Sequence, residues 1–195
     1  MKTWITSDHH FRHANIIKYT NRPYADVMEM DDELVSVWNN FVDPQDTVWH
    51  LGDFTLGGKE LAAYYFGRLN GHINILGNPW HHDSRWINGM TGATGFSSKS
   101  GWMPYLFSPI VVLEEVDTNE DGDSIPAVLC HYQLLNWDRQ HYGSLHFFGH
   151  SHGVSAPRHN CLDVGVDNAF KLTGDYRPFE FQEAVEIAQS LTSPS

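Results

Sequence analysis

Apolar residues recur at helical spacing in three segments of the chain. One helix is predicted from intervals of four, four and three residues, namely Met30, Leu34, Trp38 and Phe41. A C-terminal helix is predicted from the same kind of spacing, namely Phe181, Ala184, Val185, Ala188 and Leu191. A third helix carries Leu61, Tyr65 and Leu69, and we expect it to end at Gly71, because glycine commonly terminates helices.

Six short apolar runs have the length of β-strands. They span residues 3–6, 47–51, 73–76, 110–116, 127–129 and 145–148. Strands and helices alternate in the first half of the chain, whereas strands dominate the second half. With 195 residues, this order predicts one α/β domain over residues 1–195 whose second half is rich in strands.

The composition adds a histidine excess and an acidic balance. The chain is 41% hydrophobic, which suffices for a packed core, and it carries 24 acidic against 12 basic residues. This negative net charge disfavours long duplex nucleic acid as a partner, because the affinity of a protein for a duplex comes largely from Lys and Arg contacts to phosphates. The 13 histidines outnumber all lysines and arginines together. Histidine serves as acid, base and metal ligand near neutral pH.

Polar residues of metal-ligand type follow five of the six predicted strands. They are Asp8, His10, Asp53, Asn78, His131, His150 and His152. Because residues i and i+2 of an extended chain point to the same side, we expect Asp8 and His10 to converge on one ion. The ends of strands are where α/β proteins assemble their sites. We therefore predict one site built from these seven side chains.

The donor set indicates a catalytic metal centre. All seven donors are oxygen or nitrogen, and the absence of thiolates argues against a closed structural zinc site. Seven side chains exceed what one ion needs, whereas two ions sharing one bridging carboxylate would use them all. Two ions about 3.5–4 Å apart suit in-line attack on phosphorus. We expect two divalent ions, Mn²⁺ first, although Fe, Zn²⁺, Ni²⁺ and Mg²⁺ also accept these ligands.

Five blocks in this order resemble the calcineurin-like metallophosphoesterases, particularly their small bacterial and phage members: Asp8-x-His10, Gly52-Asp53, Gly77-Asn78, His131 and Gly149-His150-x-His152. The resemblance implies a four-layer αββα sandwich, two mixed β-sheets flanked by helices. It implies one ion on Asp8, His10, Asp53 and His152, and a second on Asp53, Asn78, His131 and His150. Asp53 would bridge them. The implied activity is hydrolysis of phosphodiesters or phosphomonoesters by a metal-bridging hydroxide.

One position departs from the family pattern. Members usually carry a catalytic histidine directly after the Gly-Asn pair, and this chain has Pro79 there. Three interpretations are open. His82 restores the pattern together with Asp83, His81 takes the role, or the helper is lost and activity is weak. The alternative function is a catalytically impaired scaffold of the same fold that is used for protein binding. We favour His82 as the catalytic histidine.

Several residues near these blocks are candidates for handling substrate. Arg12 and His13 follow the first block and are predicted to meet a substrate phosphate oxygen. Four tryptophans either stack on a base or pack beneath loops, namely Trp80, Trp86, Trp102 and Trp137. His50 is predicted to be a hydrogen-bonded residue, either directly behind the ligands or in the core. Asp163 and Asp167 are predicted to shape a turn near the loop of His150 and His152. We expect small phosphoester or nucleotide substrates.

The remaining expectations concern membrane association, secretion and the cellular compartment of the protein. No run approaches the roughly 20 apolar residues that a membrane helix needs, so no membrane partner is expected. The first residues turn polar too early for a secretory signal, and two cysteines provide no disulfide framework. The sequence predicts a cytoplasmic protein and leaves its oligomeric state open.

Overall fold

The computed structural model describes residues 1–77, 82–87, 96–118 and 122–192. The helices are α1 (Ala14–Tyr19), α2 (Val27–Phe41), α3 (Lys59–Phe66), α4 (Ser84–Ile87), α5 (Val166–Thr173) and α6 (Phe181–Ser190). The strands are β1 (Thr3–Thr6), β2 (Thr47–His50), β3 (His72–Leu76), β4 (Tyr105–Phe107), β5 (Ile110–Thr118), β6 (Ser124–Cys130), β7 (Leu145–Phe148), β8 (Cys161–Asp163) and β9 (Phe179–Glu180). None of the helices in these ranges combines the length and apolar character that crossing a bilayer requires.

The strands form two mixed sheets. The first has the order β4-β3-β2-β1-β9, in which β9 is antiparallel to β1 and the other neighbours are parallel. The second has the order β5-β6-β7-β8, in which only β5 and β6 are antiparallel. Two mixed sheets combined with helices confirm the predicted α/β sandwich.

Alternating side chains divide the core between the layers. In β1, Trp4 joins the cluster beneath α2 and α3, whereas its neighbour Ile5 joins the cluster between the two sheets. Successive residues of a strand point to opposite faces, so one strand serves both clusters. Trp137 covers the outer face of the second sheet, against Val128 and Phe148. It lies just before a short 3-10 helix (Gln140–Tyr142).

The six predicted strands and three predicted helices are all present. Leu51 and Leu191 each lie one residue beyond the element predicted to contain them, and the third helix shows a larger difference. The third helix ends at Phe66 rather than at Gly71, because the N–H groups of Arg68 and Leu69 bond to carbonyls three residues back instead of four. Gly71 instead has a φ of 94° and leads into β3, where a Cβ would lie 3.1 Å from the carbonyl oxygen of Asp46. Six shorter elements were not predicted: α1, α4, α5, β4, β8 and β9.

Candidate metal centre

The chain segments that leave β1, β2, β6 and β7 bring six of the seven predicted ligands together. One group consists of Asp8, His10 and His152, and another of Asp53, His131 and His150. Within each group the ligating atoms all lie within 4.8 Å of one another. The seventh predicted ligand, Asn78, lies outside the described residues, as do Pro79, Trp80 and His81.

Asp53 lies between the two groups. Its Oδ2 atom is 3.5 Å from Nε2 of His10 and 3.5 Å from Nε2 of His131. Asp53 and His131 are both buried. One carboxylate oxygen therefore faces a histidine of each group, which is the position that a bridging ligand requires.

Buried polar atoms of the first group fit a cation. The Oδ2 atom of Asp8 accepts a hydrogen bond of 2.9 Å from the His150 N–H. Its Oδ1 atom and Nε2 of His10 are buried and have no hydrogen-bond partner among the described residues. Leaving such a group unsatisfied costs about 1–3 kcal/mol, and a cation with oxygen and nitrogen ligands would satisfy both atoms. Burial raises the pKa of the Asp8 carboxyl to about 6.

The ligands lie on left-handed backbone rather than on extended chain. The φ angles are 62° at Asp8, 54° at His10, 53° at Asp53, 65° at His150 and 49° at His152. Asp8 and His10 do converge, but the extended geometry expected for them is wrong. Left-handed residues turn the chain sharply where it leaves each strand, and this conformation is unfavourable for residues other than glycine.

Gly149 allows the loop after β7 to reach Asp8. A Cβ at this position would lie 2.4 Å from Oδ2 of Asp8 and 2.3 Å from Oγ of Ser7. Only a residue without a side chain permits this approach, which brings the His150 N–H to the Asp8 carboxylate.

A buried ion pair orients His152. Its Nδ1 atom lies 2.6 Å from Oδ2 of Asp167, whose two oxygens accept hydrogen bonds of 2.9 and 2.8 Å from Arg22. Arg22 also donates to the backbone carbonyls of Asp8 and His9. Burial would raise the pKa of Asp167, but the hydrogen bonds from Arg22 and His152 hold it well below its usual value.

This network was only partly predicted. Asp163 shapes the turn as expected, because it accepts hydrogen bonds from the N–H groups of Gly153 and Gly165. Asp167 has a role that was not predicted, because it orients the candidate ligand His152. Arg22 was missed, since nothing in its local sequence marks an arginine that bonds to residue 167.

Two further histidines connect the loops that carry Asp8 and Asp53. His50 Nδ1 accepts a hydrogen bond of 3.2 Å from Gly52 N–H, which assigns the His50 proton to Nε2. That Nε2 lies 3.0 Å from Nδ1 of His9. His50 is thus a hydrogen-bonded core residue, as predicted. Burial, followed by the neighbouring charges, lowers the pKa of His9 well below its usual value.

Asp83 fixes the backbone that follows Asp53. Its buried carboxylate accepts hydrogen bonds from the N–H groups of Phe54 and Thr55 and from Nε1 of Trp86. Burial and the charge of Asp53 raise its pKa to about 7. The residue expected to accompany His82 therefore also holds the loop of the candidate bridging ligand.

The structure brings two of the substrate-handling candidates to the centre. The His82 ring lies 5.4 Å from the rings of both His10 and His13, measured between centroids. His13 Nδ1 lies 3.3 Å from Nδ1 of His10. The guanidinium of Arg12 instead contacts the sulfur of Met28, and Arg12 is not among the described residues that line the cavity at the centre.

This cavity has a volume of about 1050 Å³. It is lined by metal-centre residues and also by Tyr19, Val154, Phe170 and Tyr176. We call these four residues, three of which are aromatic, the aromatic wall.

The tryptophans do not contribute to this cavity within the described residues. Trp86 and Trp137 are buried, which confirms packing rather than base stacking for them. Trp102 stacks on His72 at 3.8 Å.

A comparison with models of known protein families gave no match. The chain is 46% identical over 77 residues to the uncharacterized protein MJ1445 of Methanocaldococcus jannaschii, which covers 38% of this chain and 44% of that protein. It is 35% identical over 189 residues to the gene 66 protein of Mycobacterium phage L5, which covers 85% of this chain and 86% of that protein.

Among solved structures, the chain resembles that of a protein of unknown function, AQ665 from Aquifex aeolicus. The TM-score is 0.61 at 17% identity, over 95% of this chain and 98% of that chain. This likeness shows a shared fold alone. The alignment with the phage protein extends over most of both chains. The chain therefore belongs to the family of the gene 66 protein of Mycobacterium phage L5.

Proposed function

We propose that the protein is a calcineurin-like, binuclear metal-dependent phosphoesterase acting on phosphodiesters or phosphomonoesters of small, nucleotide-like molecules. The observation that carries this proposal is the position of Asp53, whose Oδ2 atom is 3.5 Å from a histidine of each group. A single-ion site has no use for a second complete group of ligand-type side chains.

The residues divide between two ions as follows. Asp8, His10, Asp53 and His152 would hold one ion, and Asp53, His131 and His150 would hold the other together with Asn78. Mn²⁺ is the first choice for this donor set, and Fe, Zn²⁺, Ni²⁺ and Mg²⁺ also suit it. When bound, two such ions lower the pKa of water and neutralise charge on the phosphoryl oxygens.

Residues of the chain have to supply the proton for the departing oxygen and to bind the substrate. His82 lies beside His10 at the rim of the centre and is partly exposed, so it can hold a proton for the departing oxygen. His13 lies within ring contact of both His10 and His82, and in this proposal it would hydrogen-bond a phosphate oxygen. Asp167, held by Arg22, fixes the orientation of His152.

The test combines metal stoichiometry with turnover. The protein is dialysed against Mn²⁺, its bound metal is measured, and hydrolysis of bis-p-nitrophenyl phosphate is followed. We expect two ions per chain together with turnover. Asp53→Asn should lose both ions and activity, whereas Asp175→Asn, at an exposed position, should keep both.

Each other outcome has a distinct meaning. One ion per chain would overturn the binuclear centre. Two ions without turnover of any phosphomonoester, phosphodiester or cyclic nucleotide would favour the catalytically impaired scaffold.

We further propose a cytoplasmic setting. Cys130 and Cys161 are free and buried, as is common in a reducing compartment. Cell fractionation of the tagged protein tests this setting.

A further inference from the structure

The aromatic wall forms part of the same cavity as the candidate metal centre. Tyr19 is 71% exposed, Val154 is 81% exposed and Phe170 is 39% exposed, although all three are large and apolar. The cavity is much larger than a phosphate group needs. A phosphate held by the metal-centre residues would therefore leave the aromatic wall free to contact the rest of the substrate.

Two helices each contribute one aromatic residue to this wall, whereas Val154 and Tyr176 lie outside the helices. On α5, residues 167, 170 and 171 share one face, so the helix that holds His152 through Asp167 also carries Phe170 and Lys171 towards the cavity. On α1, Tyr19 lies one turn after Ile16 and faces the same cavity. The Tyr19 ring contacts the ring of His13 at 6.2 Å, and His13 contacts His10 at 5.3 Å.

The wall is rigidly connected to the ligand loops. Phe170 stacks on Tyr176 with centroids 4.4 Å apart and an interplanar angle of 12°. The guanidinium of Arg22, which bonds Asp167 and the Asp8 carbonyl, lies 5.8 Å from the Tyr176 ring. The Phe170 ring is therefore held at a fixed place relative to the centre, as recognition of a flat ligand requires.

Polar groups border the aromatic surface. Asn21 and Lys171 line the same cavity, and Lys171 Nζ also donates to the Gly153 carbonyl at 2.7 Å. A carboxamide can both donate to and accept from the edge of a heteroaromatic ring, whereas an alkyl chain offers it nothing. Flat apolar side chains bordered by amide and ammonium groups match a nucleobase better than a lipid tail.

We infer that the aromatic wall is a subsite for the nucleobase of the substrate, whose phosphate the metal-centre residues bind. This inference rests on the proposed function and assigns its substrate class to nucleoside phosphates. Base stacking on aromatic side chains strengthens binding by about 10-fold or more.

The test compares two ligands that differ only in the base. The Mn²⁺-loaded protein is titrated calorimetrically with the phosphonate analogues of adenosine 5′-monophosphate and of ribose 5-phosphate, whose P–C bond a phosphoesterase does not cleave. We expect the nucleotide analogue to bind about 10-fold more tightly. Tyr19→Ala and Phe170→Ala should each reduce this ratio by about threefold or more and leave the Kd of the ribose 5-phosphate analogue unchanged. Tyr142→Ala, at an exposed tyrosine outside the cavity, should leave the ratio unchanged.

Failure of the inference and failure of the proposed function give different results. Equal affinity for the two ligands, or a ratio that neither variant changes, would overturn the nucleobase subsite while the phosphate site stands. A hexyl phosphonate binding as tightly as the nucleotide analogue would also overturn it, in favour of an unspecific apolar surface. If neither sugar analogue binds and no phosphoester is hydrolysed, the proposed function itself falls.

Discussion

The Nδ1 atom of His152 lies 2.6 Å from Oδ2 of Asp167. This contact assigns the imidazole proton to Nδ1 and leaves Nε2 to face the centre. Arg22 fixes the carboxylate in turn through two hydrogen bonds. The orientation of one candidate ligand is therefore determined by two residues that lie outside every block of the sequence pattern.

Replacing Asp167 tests this orientation. Asp167→Asn keeps the size of the side chain but removes the charge that holds the His152 ring. Loss of such a partner typically weakens metal affinity by about 10–100-fold, and we expect the same for Mn²⁺. Equilibrium dialysis measures the affinity, with Asp175→Asn as the control. An unchanged affinity in a folded Asp167→Asn protein would remove Asp167 from the centre.

Gly149 should not tolerate a side chain. Gly149→Ala places a Cβ 2.4 Å from Oδ2 of Asp8, so the loop after β7 or the carboxylate has to move. We expect a loss of about 1–3 kcal/mol in the free energy of unfolding, together with loss of Mn²⁺ binding. Gly58→Ala is the matched control, because its nearest neighbouring atom is 3.7 Å from the added Cβ. Denaturant titration measures the free energy of unfolding, and equilibrium dialysis measures Mn²⁺ binding.

The proposed role of His82 predicts a dependence on the leaving group. His82→Ala should lower kcat by about 10²-fold for a diester with an alkyl leaving group, which needs a proton to depart. The loss should be much smaller for a p-nitrophenyl ester, whose leaving group is stable as an anion. His81→Ala tests the alternative in the same assay, and His141→Ala is an exposed control. Equal losses on both esters would contradict proton donation by His82.

A structural histidine away from the centre should make the fold more sensitive to acid. His146 is fully buried, where Leu134 N–H donates to its Nε2 and its Nδ1 lies 3.0 Å from the Val128 carbonyl. Only the neutral ring can make both bonds. Burial lowers its pKa from 6.5 to about 4. The unfolded chain therefore takes up this proton first, and the contribution of His146 to the free energy of unfolding falls as the pH drops from about 6.5 towards 4.

The pKa difference at His146 corresponds to about 3 kcal/mol over this interval. Free energies of unfolding measured across it should decrease less steeply in His146→Gln than in the native chain. The comparison concerns the slope, since lost hydrogen bonds also lower the stability of the variant at every pH. His141→Gln, at an exposed position, should keep the native slope. Parallel slopes in the native chain and His146→Gln would contradict the assignment.

The positions of the ligand-type residues at the strand ends could be predicted, because local features of the sequence mark them. An apolar run followed by a polar residue marks a strand end, and parallel strands bring such ends to one edge. Asp8, Asp53, His131 and His150 were found in this way. The longer helices were found equally well, because α2 and α6 repeat their apolar residues over several turns.

What could not be predicted depends on distant contacts or on backbone angles. Arg22 and Asp167 are 145 residues apart, and no local pattern connects them. The six-residue α1 has too few turns to show a periodic signal, yet it carries Tyr19. In contrast, α5 is as long as α3 and spaces Val166, Ala169 and Phe170 like one face of a helix, so its pattern could have been recognised. The left-handed angle at Asp8 arises from the turn that the loop must make, so the expectation of extended chain was wrong there.

The left-handed backbone at the candidate ligands sets heat resistance against activity. Each such residue costs about 1–3 kcal/mol relative to glycine, which adopts the same angles freely. His150 illustrates the conflict, because it is exposed and has a φ of 65°. Selection for thermal tolerance alone would favour glycine there and discard a ligand. Under the proposed function, the ligand role of His150 accounts for this cost, and an inactive descendant of this chain should be recognisable by glycines in these turns.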